Sequence, residues 1–396
     1  MTSELARRIA FTLGALLVYR LGTYIPLPGV QNQRLFQGLG SISTISIFSL
    51  SVLPYLTAAI LLQIASMVSS KLGALPGSGE AGRRKIVCYT VGLAILLTAF
   101  QAYGIASGFQ SAVPDLINEP GGLFLLSTTV SLTGGTVFLI WLSELITAYG
   151  IGNGLVWLFF AAAIAKLPAE VASVFELTRQ GVLSTGHALL LAIFSVALIA
   201  LIVFVERARR RIPVDFVARN LRGPAQSSHL PLKLNSAGFL PAIVAPWFYF
   251  LPLSMLSIVV GQPPWLTAIM GQLAFGHLGH MIVGSIAVAL VAFLYTAFLV
   301  DPDHAAESLK AYGGSIPGVA PGEPTAEHLD RVVSRTTCVG AAYLVAVFLI
   351  PEILVSYFQS PFYLGGSSAL IMVCTVLDLE TEVRGRSLTE PGGEYV

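Results

Sequence analysis

Charged side chains are scarce along the 396 residues of this sequence. They account for 11% of the residues, whereas soluble globular domains carry about 25%. Hydrophobic residues account for 55% of the chain. The shortage of charge excludes an ordinary soluble domain, and the apolar excess predicts a polytopic membrane protein.

Cysteine is also rare, with three residues in the whole chain. Cys88, Cys338 and Cys374 all fall inside apolar runs. A disulfide framework needs cysteines at regular spacings in a loop-rich extracellular chain, so this distribution argues against one. We interpret the three residues as structural thiols.

Motifs that carry catalysis are missing: the sequence has neither HExxH nor GxSxG. Gly77–Lys85 resembles a phosphate-binding loop but lacks the Gly-Lys-Ser/Thr ending, and Gly150–Gly154 links two apolar runs. His277 and His280 have no third metal ligand near them in the sequence, and we interpret them as paired surface histidines. We therefore expect neither an enzyme nor a cofactor or metal site.

Long apolar runs dominate what is present, and most approach the ~20 residues that cross ~30 Å of hydrocarbon. Ten runs are predicted to span the membrane: Ile9–Leu27, Ile45–Ser69, Ile86–Ser107, Leu123–Ala148, Leu155–Leu167, His187–Val205, Ala237–Val259, Phe275–Val300, Thr337–Leu354 and Ser367–Leu379. The fifth and tenth are short and are expected to include flanking residues.

Basic residues are distributed unevenly between the runs. Seven of the 22 lie between Val205 and Ile243, and short Lys/Arg-rich loops stay in the cytoplasm. If both termini are cytoplasmic, 18 of the 22 basic residues fall on that side. The asymmetry predicts an even number of crossings with both termini inside.

Ten spans divide between the fifth and the sixth. An odd number of spans in each half requires that any structural repeat be inverted. The predicted fold class is an all-α polytopic membrane protein of about ten transmembrane helices in two inverted-repeat halves. The predicted halves are residues 1–172 and 186–396, joined by an extracytoplasmic hinge at 173–185.

Ionisable residues within the runs separate the remaining classes of function. Arg20 is the only basic residue well inside a run, while Glu144, Glu352 and Asp378 lie toward the ends. Ion-coupled transporters usually keep ionisable groups near the bilayer midplane, so an apolar pore fits better than a proton relay. A secondary transporter of a small solute on an inverted-repeat scaffold remains the alternative, followed by a non-catalytic membrane scaffold or accessory paralogue.

Several strings, found in the same order over nearly the whole chain, resemble the SecY family of bacterial protein-conducting channels. They are YRLGTYIPLPGV (Tyr19–Val30), EAGRRK (Glu80–Lys85), GIGNG (Gly150–Gly154), VERARRRIP (Val205–Pro213), QSSHLPLKLNSAGFLPAI (Gln226–Ile243), PGEPTAEHLDRV (Pro321–Val332) and FYLGGSSAL (Phe362–Leu370).

The resemblance implies a clamshell around an hourglass pore, with a short plug at about 31–44. It implies a protein translocase channel that passes unfolded secretory polypeptides across the cytoplasmic membrane. A lateral gate would release transmembrane segments sideways. It would lie between the second and third transmembrane helices on one side and the seventh and eighth on the other.

The resemblance also places five apolar side chains in a ring that closes the pore. Val52 and Leu56 are already paired by their four-residue spacing on a helix. The other three positions follow from the matching strings: Phe159, Ile243 and Ile371.

The implied partners are small SecE-type and SecG-type membrane subunits, nascent or precursor polypeptides and the lipid bilayer. Because no nucleotide site is evident, a motor must dock from outside, either the SecA ATPase or a translating ribosome. The expected docking loops are residues 206–236 and 301–336. The basic residues expected to bind the motor are Arg207, Arg209, Arg210, Arg211, Arg219 and Arg222.

Some positions depart from the family pattern. The plug region between Val30 and Ile45 is short, the central loop is trimmed between Asn220 and Ala225, and Ala320 stands where relatives usually carry an arginine. The turn-rich segment around Ala320 is expected to protrude with little side-chain packing of its own.

Overall fold

The computed structural model of the chain describes residues 3–30, 46–75, 79–112, 117–216, 227–260, 263–358 and 365–389. The expected plug at 31–44 and two of the expected docking residues, Arg219 and Arg222, lie outside the described residues.

Helices dominate the described residues. They are α1 (Ser3–Gly22), α2 (Leu53–Val68), α3 (Ser70–Gly73), α4 (Glu80–Ala112), α5 (Gly122–Tyr149), α6 (Gly154–Arg179), α7 (Thr185–Arg207), α8 (Leu240–Val260), α9 (Pro264–Gln272), α10 (Leu278–Leu299), α11 (Pro302–Ala311), α12 (Glu323–Phe358) and α13 (Gly366–Thr389). Three strands accompany them: β1 (Arg209–Phe216), β2 (Ser227–Lys233) and β3 (Gly314–Ser315).

The ten predicted runs each overlap one long helix: α1, α2, α4, α5, α6, α7, α8, α10, α12 and α13. Within the described parts of the chain, seven helices are long and apolar enough to cross a membrane, and Leu53–Ser66 of α2 is apolar but shorter. The predicted class of all-α polytopic membrane protein is confirmed, and the count of ten is consistent with the helices observed.

Helix α6 extends beyond the short predicted run Leu155–Leu167, as expected for a run that includes flanking residues. It continues through Pro168 to Arg179. Proline removes one backbone hydrogen bond and kinks a helix without always ending it. Residues 173–179 of the predicted hinge are therefore helical, while the hinge itself and the division into halves stay predictions.

Local turns end α6 and start α7. Gly181 adopts a φ of +75°, a left-handed conformation that favours glycine, and the Val182 N–H donates to the Leu177 carbonyl at 3.1 Å. Three residues later Ser184 caps α7, because its hydroxyl accepts the His187 N–H at 3.2 Å.

A small sheet was not predicted from the sequence. Strand β1 pairs antiparallel with β2, with Arg209 opposite Lys233 and Ile212 opposite Leu230, and β3 adds to the other edge of β1. Along β1, Ile212 and Val214 are buried, while Arg211, Pro213 and Asp215 are exposed. This period of two is what a strand with one buried face requires.

The two predicted docking loops fold onto one another around this sheet. Ile212 from the first loop is buried together with Ile316, Leu329 and Val332 from the second. The segment around Ala320 was expected to pack little, and that expectation is wrong for Ile316 and Val319, which turn inward onto this cluster. Ala320 itself is exposed.

The chain divides into two compact units by its internal contacts. The first unit comprises Met1–Ala169, Leu251–Gln262 and Thr375–Val396, and the second comprises Glu170–Phe250 and Pro263–Cys374. In the first unit, buried cores join α2, α4 and α5 through residues such as Ala58, Ala94 and Ile140. The second unit contains the three-stranded sheet and its apolar cluster.

Candidate functional site

The turn that leads into α2 is wedged between α1 and α5. Phe48 stacks on Tyr19 with ring centroids 6.0 Å apart and on Phe138 with centroids 5.7 Å apart. The Ile47 N–H donates to the Ile25 carbonyl at 3.2 Å. These contacts fix the direction in which the chain enters α2, where Val52 caps the helix.

Two glycines make this wedge possible. A Cβ on Gly22 would collide with the Phe48 ring, and one on Gly135 would collide with the Ile47 carbonyl oxygen. Helices α1 and α5 can therefore approach the turn only because these positions lack side chains. Val52, at the N-cap position directly before α2, and Leu56, on the first turn of α2, are 0% and 8% exposed.

Phe159 is positioned by the turn Gly150–Gly154. Arg8 donates to the Gly150 carbonyl at 3.3 Å, and the Ile151 N–H donates to the Thr12 hydroxyl at 3.1 Å. A Cβ on Gly154 would collide with the Ser143 carbonyl oxygen, so α6 starts in close contact with α5. Phe159 follows five residues later and is 6% exposed.

Ile243 follows a polar junction between α7 and α8. The Asn235 side chain is 3% exposed and donates to Glu206 Oε1 at 2.7 Å and to the Gly238 carbonyl at 3.0 Å. Gly238 has a φ of +64°, which lets the chain reverse just before α8 begins. Ile243, one turn into the helix, is partly exposed.

Ile371 lies on the second turn of α13, which is packed closely at its start. A Cβ on Gly366 would collide with the Val347 carbonyl oxygen of α12. The Ser367 hydroxyl donates to the Ala242 carbonyl at 3.4 Å, so the beginnings of α8 and α13 are joined. Ala242 directly precedes Ile243, and Ile371, one turn after Ser367, is 7% exposed.

The five expected ring residues thus fall into two groups. Val52, Leu56 and Phe159 belong to the first unit, whereas Ile243 and Ile371 belong to the second. Each lies close to the start of its helix. Their assembly into one ring stays a prediction.

Four of the expected docking residues are described: Arg207, Arg209, Arg210 and Arg211. All four are exposed, with Arg207 ending α7 and the other three opening β1. Alternation along the strand directs Arg209 and Arg211 to one face and Arg210 to the other. A concentrated positive charge at this surface attracts acidic partners.

The interpretation of His277 and His280 as paired surface histidines is wrong for His280. His277 is exposed, but His280 is 5% exposed and its Nδ1 lies 2.6 Å from Glu352 Oε1. Glu352 lies within the last two turns of α12, toward the helix end as the sequence indicated, and it is fully buried there. Within the described residues, no group of three or more His, Cys, Asp and Glu side chains could hold a metal ion.

Sequence reasoning also missed the residues that position the expected ring. Phe48 and Asn235 are distant in sequence from the side chains that fix them, so no local period reveals them. Glu352 did carry a signal, because a carboxylate within an apolar run is costly to bury unless it is paired.

Comparisons with known proteins give one consistent family. The family model described as SecY matches residues 46–380. The protein translocase subunit SecY of Escherichia coli (strain K12) is 39% identical over 405 aligned positions, which cover 96% of this chain and 91% of that protein.

Solved structures show the same fold. A SecY structure concerned with the plug domain and the closed translocation channel matches with a TM-score of 0.73 at 18% identity, covering 99% of this chain and 94% of that one. Sec61 in the canine ribosome-channel complex matches with a TM-score of 0.69 at 17% identity and the same coverage. The helices are therefore those of a multi-pass membrane protein, and the chain belongs to the SecY family.

Proposed function

We propose that this chain is the channel-forming subunit of a protein translocase. It passes unfolded secretory polypeptides across the bacterial cytoplasmic membrane and releases transmembrane segments sideways into the bilayer. The observation that carries this proposal is the 39% identity to a protein translocase subunit over 96% of the chain. Nothing in the comparisons favours the solute transporter, and we assign the chain no catalytic role.

The pore is sealed by Val52, Leu56, Phe159, Ile243 and Ile371. A narrow apolar constriction is unfavourable for water and ions, and it lets a moving polypeptide slide because it offers no strong polar contacts. Support comes from the helix starts that hold these residues, which are fixed by close backbone packing and short hydrogen bonds. The segment at about 31–44 acts as the plug.

Lateral release requires the channel wall to open between α2 and α4 on one side and α8 and α10 on the other. A nascent segment at the opening then partitions by its composition. Each central Leu, Ile, Phe or Val contributes roughly 0.3–0.6 kcal/mol toward the membrane, and one central Lys, Arg or Asp costs about 2.5–3.5 kcal/mol. One charge therefore offsets several apolar residues.

Energy for transport comes from a docked motor, either SecA or a translating ribosome. The exposed arginines at the start of β1 form the docking surface, together with Arg219 and Arg222. The match to Sec61 in a ribosome-channel complex is consistent with this surface, although that structure is similar in fold alone. SecE-type and SecG-type subunits complete the channel, and both termini lie in the cytoplasm.

The test is crosslinking from the expected ring. A photoreactive amino acid replaces Val52 or Ile243, and a secretory precursor is stalled in the reconstituted channel. Both positions should crosslink to the precursor, whereas the same group at Leu189, which is 62% exposed on α7, should not. Absence of crosslinks from both ring positions, or equal crosslinking from Leu189, would contradict the proposal.

A further inference from the structure

Glu352 is a carboxylate buried inside an apolar helix, and the proposed transport does not use it. It is 0% exposed on α12. Its Oε1 lies 2.6 Å from His280 Nδ1 of α10 and accepts the Gly276 N–H at 2.9 Å. One carboxylate oxygen therefore joins α12 to α10 and to the turn that precedes α10.

The same turn is held to α12 a second time. The Ser356 hydroxyl lies 3.3 Å from the Gly276 carbonyl, although its shorter hydrogen bond goes to the Glu352 carbonyl at 2.9 Å, so both backbone polar groups of Gly276 face polar groups of α12. Gly276 has a φ of +85°, a conformation that other residues adopt with strain. With this backbone conformation, the Gly276 N–H is directed toward the Glu352 carboxylate.

Aromatic rings surround the imidazole. The His280 ring centroid lies 5.5 Å from Phe348 of α12 and 5.8 Å from Phe275. Tyr249 and Phe250 of α8 lie 6.0 and 6.2 Å from it. We call these four rings, His280 and Glu352 the His280 cluster; it brings α8, α10 and α12 to one point within the second unit.

Space for this cluster is created by Gly284, one turn after His280. A Cβ there would lie 2.7 Å from two atoms of the Phe348 ring and 3.5 Å from the Tyr249 hydroxyl. The close approach of α12 to α10 therefore depends on this glycine. Phe250, which completes the contact from α8, is also the last residue of that helix assigned to the second unit.

A contact of this composition is costly to break. Removing one member of a buried acid–base pair leaves the other charged or polar group without compensation in a medium that solvates it poorly. The aromatic rings around the imidazole add apolar packing that would be lost if the helices separated. Hydrophobic packing between helices could slide by small steps, whereas this pair resists partial separation.

We propose that Glu352 and His280 are positioning residues that clamp α10 and the turn before it to α12, with Tyr249 and Phe250 of α8 packed against the pair, so that α10 and α12 move as one body when the channel opens sideways. The inference rests on the proposed function, in which α8 and α10 form one side of the lateral opening. In the part of the chain that the structure describes, the hydrogen bonds and ring contacts of the pair involve neither an expected ring residue nor one of the docking arginines. The role of the pair is to keep that side of the opening in a fixed shape while the opposite side separates from it.

The first measurement is made on the resting channel and needs no transport. Spin labels are placed at Ile286 of α10 and Ile353 of α12, which are 64% and 49% exposed. The parent should give a narrow distance distribution. Glu352→Gln keeps the shape of the side chain but removes its charge, and should broaden the distribution. His277→Gln, in the same turn but exposed, should leave it unchanged.

The second measurement separates positioning from general damage. A precursor with a segment of intermediate hydrophobicity is offered to each variant, and the ratio of membrane-released to fully translocated product is measured. A channel that is simply less stable loses both products together. Loss of the clamp should change the ratio about three- to tenfold, the range typical for loss of one buried polar contact.

Two further variants keep the test decisive. His280→Gln keeps an amide donor for Glu352 and the Gly276 bond but loses the imidazole, so it serves if Glu352→Gln fails to accumulate, and a smaller change of the ratio in the same direction is expected. Exchanging the partners, with His280→Glu and Glu352→His together, should restore part of the parental ratio. An unchanged ratio and a narrow distance distribution in the single variants would overturn the inference, while failure of the parent to transport any precursor would instead refute the proposed function.

Discussion

Gly134 and Gly135 are neighbours on α5 with opposite surroundings. A Cβ on Gly135 would meet the Ile47 carbonyl oxygen and the Phe48 ring, whereas one on Gly134 would meet no atom within 4 Å. Gly135→Ala should therefore push out the turn before α2 and cost about 1–3 kcal/mol, the usual range for overpacking. The apparent unfolding temperature of the purified protein should fall.

The matched control is Gly134→Ala. Alanine is about 0.8–1.0 kcal/mol more favourable than glycine within a helix, so this change should leave the apparent unfolding temperature equal or higher. Because Ser46–Ser51 leads directly to Val52, Gly135→Ala should also raise resting ion conductance in a planar bilayer. Equal behaviour of the two variants would show that the wedge around Phe48 does not position the seal.

Ile243 and Ile371 test the seal itself. Asparagine at either position places an amide in the proposed constriction, where it offers hydrogen bonds to water and makes wetting easier. Ile243→Asn and Ile371→Asn should therefore raise the resting ion conductance of the channel well above that of the parent, and Ile371→Val should not. If the resting ion conductance of both asparagine variants is as low as that of the parent, the ring assignment is wrong.

At this scale the sequence predicted some positions and missed others for a definite reason. Val52 and Leu56 could be paired because a four-residue spacing is a local property of one helix. His280 and Glu352 are 72 residues apart, so their contact exists only after α10 and α12 pack. The sequence around His280 contains no partner for the imidazole, so it gives no indication that this side chain is buried.

Among elements, helices were predictable and strands were not. A run of about 20 apolar residues specifies a membrane helix on its own, because the bilayer demands internal hydrogen bonds. Strand β1 needs β2 and β3, the latter about 100 residues away, before its hydrogen bonds are satisfied. Ile212 and Val214 have the spacing of a strand, but Pro213 lies between them, and proline within a run is typical of edge strands or of no strand at all.

The start of β1 carries the prediction for motor docking. Replacing Arg209, Arg210 and Arg211 by glutamine removes three exposed positive charges and should weaken SecA or ribosome binding strongly. The loss should shrink at high salt, because screening reduces the parental affinity more than that of the variant. Equilibrium binding to the reconstituted channel at two ionic strengths measures both effects.

The loop that contains Ala320 packs on the same sheet as the arginines of β1, through Ile316 and Val319. Ala320→Arg adds an exposed guanidinium that can make bidentate contacts, so it should strengthen motor binding modestly. The control is Arg179→Gln, on the side of the membrane predicted to be extracytoplasmic, and it should leave the affinity for the motor unchanged. If the variant with glutamine at positions 209, 210 and 211 binds the motor as tightly as the parent, the docking surface lies elsewhere.

For the whole molecule, the distribution of charge predicted more than any single motif. The ten runs each overlap one helix, and seven of those helices are long and apolar enough to cross a membrane, while α2 is apolar but shorter and α1 and α13 are less apolar. Both terminal helices carry several charged residues, so hydropathy alone underestimates them. The positive-inside asymmetry includes those charges and therefore supports an even number of crossings.

Reporter fusions test this topology directly. Because 18 of the 22 basic residues fall on one predicted side, reporters fused after Arg222 and after Lys310 should both read as cytoplasmic. Fusions after Gly181 and after Gln262 should read as extracytoplasmic, since each follows an odd number of spans. A reversed reading at Lys310 alone would mean that α10 does not cross the membrane. A reversed reading at both Arg222 and Lys310 would place the basic surface outside, where no cytoplasmic motor could bind it.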